Sequence, residues 1–327
     1  KLLCYFLAIL VTVCFIILLA VHSRLLEKCE TEEKQLQIIE KYESRRNDDW
    51  QSFTDDGSSF ITEENKDLMD LNILGSHSLF QWLNIAYTKS GKRKLMKQLT
   101  KTEFDEISWK QTQRAVKEMT EHPLFGIKFQ AILSEIRNIR KLDLEEKKLY
   151  PSECKKPEWI SIIMGSVFAL AMLVSLVLGL SEMISFGTAG IMLLICLCNL
   201  CIFSYFHGAE YEEIEKCIRA FGKMERLISF VSEEQFKEDV VCQYQEKIRL
   251  GKMTMHRISK IASLYYAKEN MFSNVLFNVV FILNPLLVFL YRNTMKEGSA
   301  ILYDTMESIE KIELFIALAG VAWVKDT

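Results

Sequence analysis

Residues 159–206 carry a single charged side chain, Glu182, and are otherwise dominated by Ile, Leu, Val, Phe, Met, Ala and Cys. No soluble amphipathic helix reads this way, because such a helix needs a polar face. The stretch is also about twice the length that crosses a bilayer once. Ser181-Glu182, with Gly179 and Gly187 nearby, divides it into two runs of about twenty residues, each one bilayer thickness long as a helix. In lipid every backbone N–H and C=O must be satisfied within the segment, which leaves the helix as the element for such runs. The pattern predicts a transmembrane helical hairpin with a very short turn.

Lys155 and Lys156 stand before this hairpin, and Lys216, Arg219, Lys223 and Arg226 follow it. An excess of Lys and Arg marks the cytoplasmic side, so both flanks are assigned there. Residues 2–21 form a second kind of apolar run, uncharged and followed by Arg24 and Lys28. A secretory signal is the competing reading. The run is long for one, only Lys1 precedes it, and no small-x-small cleavage site follows. We read residues 1–23 as a transmembrane helix, which makes the chain a multi-pass protein of the cell membrane with its soluble parts in the cytoplasm.

The remaining residues are rich in charge, and the chain holds 4 Pro and 13 Gly. So few breakers favour long helices, and no alternating run bounded by turns suggests a sheet. Residues 24–50 continue the first helix out of the membrane, and 51–66 are a polar linker. An apolar face runs through Leu79, Phe80, Leu83 and Tyr87; Thr88 to Gly91 should break it. A short helix over 92–99 turns Leu95, Met96 and Leu99 inward. A third spans 107–119 with Ile107, Gln111, Ala115, Val116 and Met119 on one face, ended near Pro123. A fourth covers 125–149 through Phe129, Ile132, Leu133, Ile136 and Ile139.

Past the hairpin, Ile214, Cys217, Ile218, Phe221, Met224, Leu227, Ile228 and Val231 keep a helical period without interruption. Ser232-Glu233-Glu234-Gln235 has the form of a capping box and should restart a helix. Ile258, Ile261, Ala262, Leu264 and Tyr265 mark the next helix. Residues 271–291 resemble another span, but Asn274, Asn278, Asn284 and Pro285 are costly in lipid, so a buried soluble helix is preferred. A last helix runs over 299–324.

Motifs of catalysis are missing. There is no GxxxxGK[ST], HExxH or GxSxG; Thr88-Lys89-Ser90-Gly91-Lys92 only echoes the end of a phosphate-binding loop. The nine cysteines are split between apolar runs and charged helices, which suits a reducing compartment. Cys196, Cys198 and Cys201 do not share one helix face and lack a histidine, so they read as packing residues. The five histidines are isolated. One asymmetry remains. Residues 71–102 contain no Asp or Glu, while Lys89, Lys92, Arg93, Lys94, Lys97 and Lys101 cluster. Such a patch suits phosphates of DNA or anionic lipid headgroups; a solvated helix face is the plainer reading.

Ser78-Leu79-Phe80-Gln81-Trp82-Leu83-Asn84, then Tyr87-Thr88-Lys89-Ser90-Gly91, Leu95 and Gln98-Leu99 resemble the opening of the helical core domain of the MutS family. Ile107, Thr112-Gln113, Ala115-Val116 and Glu118-Met119 are similar to that family's following helix. Asn274 to Asn278 resemble the part of the core that returns later, and Ile312 to Ala319 the helix leading to the ATPase domain. The likeness runs over residues 68–327. It is nearest to a bacterial membrane-associated branch in which transmembrane segments interrupt the core. Ala86 stands where the family has Thr, and Gln98-Leu99 lacks the family's closing Pro. A membrane helix and a charged segment stand where the family has its mismatch-reading domain. The ATPase domain would follow Thr327, so the resemblance implies a fragment or a truncated relative.

The expected fold class is therefore all-α: a long-helix, MutS-like core and lever domain with an N-terminal transmembrane helix and an inserted transmembrane hairpin. The expected divisions are a membrane helix at 1–23, a charged segment and linker at 24–67, half of the core at 68–158, the hairpin at 159–206, and the lever and returning core at 207–327. The resemblance implies a DNA mismatch repair-related protein that couples a downstream ATPase domain to DNA or partner binding. Membrane lipid, DNA and a second copy of the full-length chain are its partners. ATP and Mg belong to the ATPase domain alone, so no cofactor, active site or enzymatic activity is expected of these residues. The alternative is a membrane-anchored helical scaffold that binds neither DNA nor nucleotide. A transporter is disfavoured because the spans hold no ionisable pathway residue besides Glu182.

Overall fold

The computed structural model describes residues 2–103, 105–136, 158–181, 185–267, 277–278 and 283–324. Among them the regular structure is helical, with no strand. The helices are α1 (Leu2–Arg46), α2 (Asp67–Asp70), α3 (Leu79–Leu83), α4 (Lys89–Leu99), α5 (Glu106–Glu121), α6 (Pro123–Glu135), α7 (Glu158–Leu180), α8 (Phe186–Phe221), α9 (Met224–Glu233), α10 (Asp239–Leu250), α11 (Lys252–Tyr266) and α12 (Leu283–Val324). Three 3-10 turns lie between α1 and α2. The all-α expectation holds.

The chain forms two compact units. The first comprises Lys1–Tyr87, Leu95–Glu135 and Phe315–Thr327. Here α1 packs along α6, and Ile38, Phe80, Met119, Phe129, Leu133 and Ile316 are buried. The polar linker is a set of turns that Gln81 stitches down: its Nε2 donates to Phe53 O at 2.6 Å and its Oε1 accepts from His77 N at 2.7 Å. Ser78 caps α3 by accepting from Gln81 N at 3.2 Å. The helix then stops after one turn, because Asn84 is extended and its Oδ1 takes Ala86 N at 3.1 Å. The apolar face expected from Leu79 to Tyr87 is therefore not one helix face. Phe80 and Leu83 are buried from α3, Leu79 is exposed, and Tyr87 is buried from the following extended segment.

In α5 the inward residues are Ala115 and Met119, while Ile107 and Gln111 face water. Ile107 lies in the first turn, just after the Asp105 cap, and the buried stripe begins only two turns later, at Ala115. Pro123 lies just past the end of α5, as expected, and also opens α6. There its missing N–H costs nothing and its fixed φ suits the first helical position. Ile139, part of the same expected helix, lies outside the described residues.

The second unit comprises Thr88–Lys94 and Ile136–Leu314. The helices α7 and α8 pack against each other. The stripe from Ile214 to Val231 is buried at every expected position, although the helix breaks within it. Gly222 lies in the break between α8 and α9, where a Cβ would press on Ala262 of α11. The apolar period thus survives a change of helix.

The capping box expected at 232–235 does not form. The Ser232 hydroxyl instead donates back to Ile228 O at 2.6 Å. The open carbonyls of Val231 and Glu234 accept from Gln245 Nε2 at 2.8 and 2.7 Å. The next helix begins only at Asp239. Nor does a helix start at residue 299. α12 runs through Gly298, which permits a close approach to Thr254 of α11. Gly251, at the corner between α10 and α11, allows the same approach to Thr305. In the described part of the fourth apolar run, Leu283, Leu287, Val288 and Tyr291 are buried in this unit while Phe289 is exposed, and Asn278 Oδ1 accepts from Asn284 N at 2.8 Å. Residues 271–276, Lys155, Lys156 and Glu182 lie outside the described residues.

Candidate functional site

The basic cluster of the sequence falls on α4 and the turn after it. Lys89, Lys92, Arg93 and Lys94 belong to the second unit; Lys97 and Lys101 belong to the first. Lys89, Lys97 and Lys101 are exposed, and the other three are half-buried. The cluster does not present six cations to solvent. Lys94 Nζ lies 3.4 Å from Glu307 Oε1 and 3.5 Å from Glu310 Oε2, both on α12.

Glu310 belongs to a buried polar group at the start of α4, while Glu307 is half-exposed. The expected break from Thr88 to Gly91 is in fact the first turn of that helix. Thr88 Oγ1 accepts from Gly91 N at 2.8 Å, which makes Thr88 the cap. Glu313, almost fully buried, accepts Thr88 N at 3.1 Å on Oε1 and the Thr88 hydroxyl on Oε2. A carboxylate there also meets the positive end of the helix dipole. A Cβ at Gly91 would collide with Glu313, so glycine is required by the close approach. One turn along α12, burial pushes the Glu310 carboxyl above the ordinary carboxylate range, and the Lys94 ammonium and a hydrogen bond from Ser90 oppose that rise.

Glu307, Glu310 and Glu313 were not singled out in the sequence, where this helix reads as strongly apolar. Their spacing of three was the available signal, since it places all three along one side of a helix. The arrangement is a satisfied network of caps and ion pairs. It holds α4 against α12 within the second unit and leaves no acid poised over a vacant cleft. Among the described residues, no group of three or more His, Cys, Asp or Glu is placed to hold a metal ion.

The second candidate surface is the α7–α8 hairpin. On α7, Val167, Leu170 and Val177 are 59%, 64% and 64% exposed, and on α8 Ile191, Leu194 and Ile202 are also exposed. Among the described residues, Ile162–Gly179 is one helix long and apolar enough to cross a membrane. A second counts only if Leu193–Tyr205 and Gly208–Glu233, set at 81° to one another, are taken together. The charged end of α8 is tied into the second unit: Arg219 Nε donates to Tyr265 OH at 2.8 Å, and that hydroxyl donates to Glu215 Oε1 at 2.6 Å. Arg292 of α12 pairs with Glu210 in the same region. Comparison of the chain with protein-family models, curated proteins and solved structures found no match.

Proposed function

We propose that the chain is a membrane-tethered, MutS-like helical core whose charged helices stand in the cytoplasm. The exposure of large aliphatic side chains along α7 carries the tether. A contiguous apolar surface of this kind is costly in water and is offset by lipid. The apolar part of α1 is a further anchor, giving a multi-pass protein. The core performs no chemistry of its own. Its role is mechanical: α8 passes from the apolar hairpin into the Arg219–Tyr265–Glu215 contacts, so displacement of one end is transmitted to the other. The MutS-like reading draws support from the work done by the motif residues. Ser78 and Thr88 cap helices, Phe80 and Leu83 fill the core, and Gly91 admits Glu313. These are the packing roles that the resemblance implies.

DNA is the partner that the MutS-like reading adds, through Lys89, Lys92, Arg93, Lys97 and Lys101. The engagement of Lys94 by Glu307 and Glu310 favours the second reading, a membrane scaffold without DNA. Two assays separate these. The chain should float with lipid vesicles and resist carbonate extraction, and release into the soluble fraction would remove the tether. Binding of a fluorescent duplex should weaken steeply with salt and on charge reversal at Lys92, Arg93 and Lys97. Flotation without any duplex binding at low salt would leave the scaffold.

A further inference from the structure

Arg45, near the end of α1, is 5% exposed. Its Nε donates to Trp82 O at 2.7 Å and its Nη2 to Asn84 O at 3.0 Å. The guanidinium carbon lies 5.4 Å from the centre of the Tyr42 ring and 5.1 Å from that of Phe53. Nη1 is buried and makes no hydrogen bond. The contacts made by the guanidinium are thus to carbonyls and ring faces, and among the described residues none of them carries a negative charge. Burial pulls its pKa down to about 10, so the charge persists at neutral pH. A buried cation with an unmade donor is costly unless something compensates it.

The same side chain lines a cavity of about 10 Å³ within the first unit, together with Tyr42, Trp82, Ile85, Gly320 and Val321. That is on the order of the room needed by one water-sized species. The wall is mostly apolar. The Tyr42 hydroxyl already accepts from Gln130 Nε2 at 2.8 Å, and the Trp82 carbonyl is taken by Arg45 itself. A water there could accept from Arg45 but would leave the buried cation without a counter-charge. An anion would accept the hydrogen bond and also supply that charge.

We propose that this cavity is a binding site for a monatomic anion of the size of chloride, held by Nη1 of Arg45. The anion supplies the counter-charge that the surrounding residues lack. It fastens α1 to the segment after α3 and to the last turns of α12, all within the first unit.

The test uses the full chain, purified in a non-ionic detergent in sodium gluconate. Sodium chloride or bromide replaces gluconate at constant ionic strength while thermal unfolding is followed. The midpoint should rise saturably by about 2–4 °C, and Arg45→Lys, which keeps a charge but lacks Nη1, should abolish the rise. If that variant does not fold, anomalous diffraction from crystals of the wild-type chain grown in bromide decides. A bromide peak against Arg45 supports the site. Thermal midpoints indifferent to halide, with water or nothing at that position, overturn it.

Discussion

The hairpin α7–α8 and the stripe that runs from α8 into α9 are built from the same side chains and hide them in opposite ways. Val167, Leu170 and Val177 point outward, whereas Phe221, Leu227, Ile228 and Val231 are fully buried. Apolar content alone therefore says nothing about which solvent a helix meets. The difference lies in the charges between the apolar residues. The stripe alternates with Glu215, Lys216, Arg219, Lys223 and Arg226, which give a wet face and force the apolar face inward. The α7 helix has no charged residue after Glu158, so every face is equally unwelcome in water.

The largest expected contrast breaks this comparison at its centre. Phe221→Ala or Ile228→Ala should cost about 2–5 kcal/mol, the price of a core cavity, while Val167→Ala and Leu170→Ala should stay within about 0.5 kcal/mol. Denaturant unfolding in detergent measures both. Equal losses would mean that the hairpin is packed against protein. Next in size, Leu170→Arg places a charge mid-helix and should cost about 2.5–3.5 kcal/mol of membrane insertion. Vesicle flotation should then fall, while Lys97→Glu should leave it unchanged.

Smaller effects sharpen the core side. Glu313→Ala strands the Thr88 N–H and hydroxyl and should lose about 1–3 kcal/mol. Glu313→Gln, which keeps an acceptor, should lose less in the same unfolding assay. The smallest effect concerns pH. Because the Glu310 carboxyl is raised from 4.5 by burial, the folded chain retains a proton that the unfolded chain has already released. That uptake stabilises the fold at acid pH, and the contribution is lost as pH rises through the raised pKa. Glu310→Gln should flatten the decline in stability as pH rises above about 4.5; an unchanged slope would assign it to other groups.

Much of the helical architecture was legible, because it rests on periodicity. All eight residues of the Ile214–Val231 stripe are inside. What escaped was decided by single polar atoms. Ser232 and Thr88 are both hydroxyl residues in capping-like contexts, yet Ser232 bonds back to Ile228 and Thr88 caps α4. The choice depends on Gln245 and Glu313, distant in sequence. The last helix was expected to start at 299, whereas α12 runs through Gly298, where the close approach of Thr254 leaves no room for a Cβ. The basic cluster was legible as composition, but its neutralisation at Lys94 required knowing that Glu307 and Glu310 return to it from the far end of the chain.

On the proposed reading, lipid and not protein covers the outward face of the hairpin. Photolysis of vesicles that carry the chain and a diazirine-labelled phospholipid, followed by peptide mass spectrometry, tests it without altering a residue. Carbene adducts are expected within 162–179 and 191–205, and none within 214–231. Adducts in the buried stripe, or their absence from 162–179, would contradict it.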